Sequence, residues 1–289
     1  MKKIAILGCE NSHANAFLRL ICQDPAYADV QVVGVYSDDD LAAQKLHDEF
    51  DVPVLANYAD AKDQIDGLII TARHGDNHYK YAKPYVESGI PMFVDKPITI
   101  SEQDAHDFAA ALAQNGVRVS GGSSLKQDDC VAQLKKAAKE LQGGRTLGGF
   151  VRAPYQRENA YGGFYFYAQH LVEIVCEIFG RFPLSVTAKQ NSDCIHVLFH
   201  YEKYDCVGMF CNNNYTYTAC RMSESGTECL NIPSTEDWYA REFAEFYGLL
   251  KGGKQPLCYE EFFSPVFILN AIHRSLQSGR EEAVGKLSL

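Results

Sequence analysis

The chain has 289 residues, 46% of them hydrophobic and 22% charged, which is enough apolar material for two cores of ordinary size. Its 37 acidic against 27 basic side chains give a formal net charge of −10. Such a surface repels a nucleic-acid duplex or an anionic membrane, and no stretch approaches the roughly 20 apolar residues that span a bilayer. The ten cysteines include no C-x-x-C pair and are scattered along the chain. They read as reduced thiols of a cytoplasmic protein, with no disulfide framework and no metal site.

The first apolar run, residues 3–7, follows two lysines. It is too short for a signal peptide and no small-residue cleavage site follows, so it reads as a first strand. A polar turn spans residues 8–13 and helical spacing follows over 14–22. Strands are expected at 30–36, 67–71, 91–94 and 117–120, with helices at 41–50, 79–88 and 101–115. Ser101 opens the last of these helices and Gly116 stops it. Strands separated by helices of 10–15 residues pair in parallel through right-handed crossovers. The pattern changes near Gly121-Gly122. After a helix at 130–141, strands follow in succession at 146–155, 185–190, 194–201, 206–212, 215–221 and 228–232, with a helix near 169–179. The short links suit hairpins. Helices near 235–251 and 264–278 finish the chain.

The fold expected is therefore α/β. A Rossmann doubly wound parallel sheet over residues 1–122 precedes an α+β domain over 123–289, with a large, mostly antiparallel sheet for substrate binding and dimerisation. Phe199, Met209, Phe210, Tyr215 and Tyr217 lie on successive strands. Their clustering predicts a sheet face closed by a second subunit, in a homodimer or homotetramer.

The turn after the first strand is the natural dinucleotide site, because a helix N-terminus there offers free N–H groups and a positive dipole end. Of the glycines of G-x-G-x-x-G only Gly8 is present in Gly8-Cys9-Glu10-Asn11-Ser12-His13. Asn11 and Ser12 can cap the helix or donate to phosphate. Ser37, after the second strand, is placed to meet an adenosine ribose, followed by Asp38, Asp39 and Asp40. A carboxylate accepts from a ribose diol and repels a 2′-phosphate, and no basic residue occurs before Lys45. NAD is the expected cofactor. Ser37, small and hydroxylic, leaves NADP open.

Residues 67–99, GLIITARHGDNHYKYAKPYVESGIPMFVDKPIT, resemble the glucose–fructose oxidoreductase and inositol dehydrogenase (Gfo/Idh/MocA) family. The shared frame is a strand, a T-P-N-x-x-H-like turn, a helix, then an E-K-P triplet. The resemblance extends in order through the closing GG-K-Q-P stretch and last helix. It implies that Thr71, Ala72, His78, Asp95 and Lys96 line a cofactor cleft, with Lys96 at the nicotinamide end. A second motif, D-x-G-x-H-x-x-D, matches residues 166–173. There His170 aligns with the histidine, Glu173 stands for the last aspartate, and Phe166 replaces the first. Glu173, one turn on, can meet the His170 ring. The resemblance implies an NAD(P)-dependent oxidoreductase acting on a small polyol, sugar or related carbinol or carbonyl compound, with Lys96, His170 and Glu173 catalytic. A ligand-binding protein of the same fold with little dehydrogenase activity is the alternative that the glycine loop and Phe166 favour.

Overall fold

The computed structural model describes residues 1–233 and 237–289. The first part alternates strand and helix: β1 (Lys2–Leu7), α1 (Ser12–Gln23), β2 (Val30–Tyr36), α2 (Asp40–Phe50), β3 (Gly67–Ile70), α3 (Asp76–Ala82), β4 (Met92–Asp95), α4 (Glu102–Gln114) and β5 (Val119–Gly122). The strands form one five-stranded parallel sheet in the order β2-β1-β3-β4-β5. Its central strands β3 and β4 are buried at every residue, as near-continuous apolar runs covered on both faces require. β5 runs two residues beyond its expected end, because Gly121 and Gly122 still pair with Val94 and Asp95. α3 stops at Ala82, and a 3-10 turn carrying Pro84 takes over to Ser88. A proline two residues on cannot donate to the helix ladder.

The second part holds α5 (Asp129–Lys139), β6 (Thr146–Tyr155), α6 (Phe164–Phe179), β7 (Ser185–Gln190), β8 (Cys194–His200), β9 (Asp205–Asn212), β10 (Tyr217–Ser223), β11 (Gly226–Ile232), α7 (Asp237–Leu250), α8 (Tyr259–Ser278) and β12 (Glu282–Ala283). The first residues of the helix expected from 235 lie outside the described residues. The sheet order is β11-β10-β6-β9-β8-β7-β12, antiparallel except for the β6–β9 pair. α8 starts earlier than its proline suggests. Glu261 accepts from the Cys258 N–H and sets the start there, and the Glu261 carbonyl freed by Pro265 accepts from Ser264 Oγ and Arg181 instead.

α5, α6 and α8 cover one face of this sheet, burying Val151, Val197, Phe199, Phe210 and Ala219. The aromatic cluster expected on one open face is therefore split: Phe199 and Phe210 belong to the core. The opposite face carries Leu198, Val207, Phe150 and Cys220 in one cross-strand row. Cys229 ends that row, joined to Cys220 by a disulfide, while the other eight cysteines are free. This corrects the expectation of reduced thiols throughout, since a spacing of nine residues says nothing until strand register sets the two side chains opposite each other.

The two parts share their cores. Phe243, Phe246 and Leu250 of α7 pack with Ile4, Phe17 and Phe93, and Phe262, Phe263, Val266 and Phe267 of α8 pack with Val94 and Phe108. Among the described residues, no helix is long and apolar enough to cross a membrane.

Candidate active site

The carboxyl ends of β1 and β4 meet the N-terminus of α6 around a cavity of about 450 Å³. Asn11, Ser12, His13, Arg73 and Lys96 line one wall; Phe166, Tyr167, His170 and Tyr217 line the other. Ligands of open α/β sheets bind outside the carboxyl ends of the strands, and this cavity stands there.

The turn after β1 is built by close approach. Gly8 has φ +92°, and a Cβ on it would lie 2.2 Å from the Ala72 nitrogen. Its carbonyl accepts from Thr71 Oγ1 at 2.5 Å. Asn11 caps α1 through the Ser12 N–H and donates its amide to Asp95. Ser12 Oγ lies 3.0 Å from the Tyr239 hydroxyl. His13, at the third glycine position, is buried. Its Nε2 is 3.1 Å from Glu242 Oε2 and its Nδ1 3.1 Å from Asp95 Oδ2, the latter without hydrogen-bond alignment. Burial pushes the His13 imidazole down and the Asp95 and Glu242 carboxyls up.

Three expected cofactor residues serve the turns rather than the cavity. His78 is fully buried, with Nε2 2.7 Å from the Ala72 carbonyl and Nδ1 3.2 Å from that of Ile98. Desolvation pushes its imidazole down to about 4, so the ring is neutral and donates from one nitrogen to one of the two carbonyls. Thr71 and Ala72 are buried backbone neighbours of Gly8. At the end of β2, Ser37 is buried and donates to Glu10 at 2.7 Å. Asp38 accepts from Tyr36 at 2.6 Å and from Lys80 at 3.3 Å. A cation therefore does stand at this position, brought by α3 from far along the chain. Lys80 thus supplies the cation that the stretch before Lys45 lacks, and the acidic run after β2 alone does not set NAD over NADP.

Lys96 is almost fully buried on the cavity wall. Its ammonium lies 4.2 Å from the centre of the Phe166 ring and 5.4 Å from that of Tyr167, and donates to the Phe166 carbonyl at 3.2 Å. The ring meets the ammonium through a cation–π contact. Burial lowers the Lys96 pKa, opposed by Asp95 next to it. Asp95 Oδ1 accepts the Lys96 N–H at 2.6 Å and so fixes the backbone from which the lysine projects.

His170 reaches the same cavity from α6. Its Nδ1 is 2.6 Å from Ser123 Oγ, at the exit of β5. Burial, then the Lys96 charge, push its pKa well below the usual histidine value, so the ring is neutral. The pairing of His170 with Glu173 fails. Glu173 is buried beneath it, accepting from Gln169 at 3.2 Å and from Arg181 at 3.3 Å, and Arg181 also binds Glu177. A buried guanidinium outcompetes a neutral imidazole for a carboxylate. Ser123 carried no signal in the sequence. Glu10 and Arg73 did, as charged residues beside strand ends.

Residues 2–123 match the Gfo/Idh/MocA oxidoreductase family, NAD-binding Rossmann fold. The uncharacterized oxidoreductase YhhX of Escherichia coli (strain K12) is 26% identical over 144 residues, and the match spans 47% of this chain and 40% of that protein. The scyllo-inositol dehydrogenase of Lactobacillus casei, solved with NAD(H) and scyllo-inositol, superposes with a TM-score of 0.83 at 14% identity, covering 98% of this chain and 99% of that one. A myo-inositol dehydrogenase from Corynebacterium glutamicum ATCC 13032 gives 0.83 at 17% identity, covering 99% of each. GenD2 of gentamicin A biosynthesis, solved with NAD, gives 0.81 at 16% identity, covering 100% of this chain and 97% of that one. At such identities the likeness is one of fold. The family match, the β1 turn and the lysine after β4 agree: residues 2–123 of the chain match the NAD-binding Rossmann domain of the Gfo/Idh/MocA oxidoreductases.

Proposed function

We propose that the chain is a nicotinamide-dependent oxidoreductase acting on a small polyol, sugar or related carbinol or carbonyl compound. One observation carries this reading: Lys96 and His170, from opposite parts of the molecule, line one aromatic-walled cavity at the carboxyl end of β4. The crevice suits a dinucleotide. Gly8 and the capped start of α1 stand where a pyrophosphate meets a helix end, and a carboxylate, Glu10, stands beside Ser37 where a ribose diol is read. A nicotinamide, when bound, supplies the hydride acceptor or donor. The chain manages the proton and the oxygen. The Lys96 ammonium has three donors, one of them on the Phe166 carbonyl; the others are available to a substrate oxygen as negative charge develops on it. Neutral His170 holds or takes the hydroxyl proton, its ring fixed by Ser123. Tyr167, Tyr217 and Tyr161 offer flat apolar faces with hydroxyl tips, suited to a ring polyol.

Incubating the protein with NAD and a panel of inositols, sugars and their acids, and following absorbance at 340 nm, tests the reading. Turnover of one class supports it; binding of dinucleotide without turnover of any supports the second reading, a binding protein of this fold. Glu10 in the glycine turn and Phe166 in place of an aspartate are the observations that favour that second reading. A homodimer or homotetramer closed by the half-exposed sheet face belongs to the same proposal.

A further inference from the structure

We infer that Glu10, from the turn after β1, is the residue that accepts the adenosine ribose hydroxyls of a dinucleotide, in place of an acid at the end of β2. This rests on the oxidoreductase reading above and adds to it the source of cofactor selectivity. Glu10 stands where the second glycine of the turn would be, and its carboxylate reaches across the crevice. Oε2 accepts from Ser37 Oγ at 2.7 Å and Oε1 from the Arg73 N–H at 2.9 Å. It therefore lies between the ends of β2 and β3, one hydrogen bond from the first residue after β2. That is the position from which Rossmann domains read the ribose 2′-hydroxyl.

The nearby acid cannot do this work as placed. The Asp38 carboxylate already takes three donors, the Tyr36 hydroxyl on one oxygen, Lys80 on the other and the Tyr81 hydroxyl, which leaves too few acceptor positions for a vicinal diol. A carboxylate offers about four acceptor positions, and Glu10 has two filled, which leaves two for a vicinal diol. A 2′-phosphate would meet a carboxylate instead. The nearest cations are engaged elsewhere, Lys80 with Asp38 and Arg73 with the Tyr161 hydroxyl at 3.1 Å. NAD is favoured over NADP by the loop rather than by the strand end.

Isothermal titration of NAD and NADP into purified wild type, Glu10→Gln, Glu10→Gly and Asp38→Asn tests this without any turnover. Glu10→Gln keeps shape and loses charge. It should weaken NAD about tenfold or more, the scale of a hydrogen bond to a charged group, while NADP is unchanged or tighter. Asp38→Asn should leave NAD affinity as it is. Ser37→Ala, which removes only the hydroxyl that holds Glu10, should weaken NAD by less than Glu10→Gln does. Melting temperatures close to wild type show that each variant is folded. NAD affinity unchanged in Glu10→Gln overturns the inference and leaves the oxidoreductase reading standing. So does Glu10→Gly binding both dinucleotides more tightly, which would mean that the carboxylate obstructs the pyrophosphate. If wild type binds neither dinucleotide at millimolar concentration, the oxidoreductase reading falls and this inference falls with it.

Discussion

The turn after β1 and the turn after β4 stand side by side at the carboxyl edge of one sheet, yet they are held in opposite ways. The β4 turn carries the Asp95-Lys96-Pro97 triplet and projects one buried cation, Lys96, with Asp95 fixing its backbone. The β1 turn has lost two of its three glycines and holds itself by side chains instead. Glu10 ties it to β2 and β3, Asn11 ties it to β4, and His13 reaches α7. The two turns meet at one buried carboxylate, Asp95, which serves both. A motif can thus be lost as a pattern while its loop is kept in place by contacts that no local window contains.

The sharpest way to break this comparison is at the buried cation. Lys96→Ala and His170→Ala should each lower turnover by about 10²-fold or more, the scale of a lost acid–base partner, with little change in melting temperature. Steady-state kinetics on the first substrate found checks this, and a loss under threefold in either would remove that residue from the chemistry. Next in size is Asp95→Ala, which strips both turns of their common anchor. It should cost about 3 kcal/mol of stability, the scale for breaking a buried charged network, as read by urea denaturation.

His78 gives a pH test of the β3 turn. Its folded pKa is about 4 against an ordinary 6.5, so below pH 6.5 the unfolded chain takes up a proton that the folded chain refuses. Stability should fall as pH drops from 6.5 to 4, by up to about 3 kcal/mol from this one ring. His78→Asn should flatten that part of the profile, and an equal slope in wild type and variant would sink the assignment. Phe166→Asp sharpens the β4 side. It replaces a ring under the ammonium with a carboxylate, so the alkaline limb of the kcat/KM profile set by Lys96 should move up in pH. The smallest effect expected is on assembly. Val207→Lys, in the half-exposed cross-strand row, should shift light-scattering mass toward the 32.2 kDa of one chain and leave the cavity intact.

Much of this was legible. Each strand of the first sheet lies within two residues of its expected place, because buried parallel strands are short apolar runs between helix caps and glycines. Lys96 and His170 were found through their motifs and do share a cavity. What was hidden depended on tertiary register. Nothing near His170 in sequence announces Ser123, 47 residues away, whereas Arg181, which claims Glu173, lies only eight residues on but past the end of α6, where helical spacing sets no pairing. Lys80 beside Asp38 and Cys229 beside Cys220 are the same kind of miss, set by how α3 packs and how β10 pairs with β11. The disagreement at Glu10 is different in kind. The residue was in plain view, but a template expecting glycine treats it as an absence rather than as a carboxylate with somewhere to go.

The return of α7 and α8 onto the first sheet has a consequence for how the chain is made. Phe243, Phe246 and Leu250 complete the core around Phe17 and Phe93, so the N-terminal sheet leaves the ribosome about 120 residues before the side chains that cover it. At ordinary synthesis rates that is a wait on the order of 10 s, during which a parallel sheet with slow, non-local pairings presents an open apolar face. The nascent first half is then the stretch on which a chaperone would act, and truncations upstream of Phe243 should partition to the insoluble fraction even though every strand of the dinucleotide-binding sheet is present.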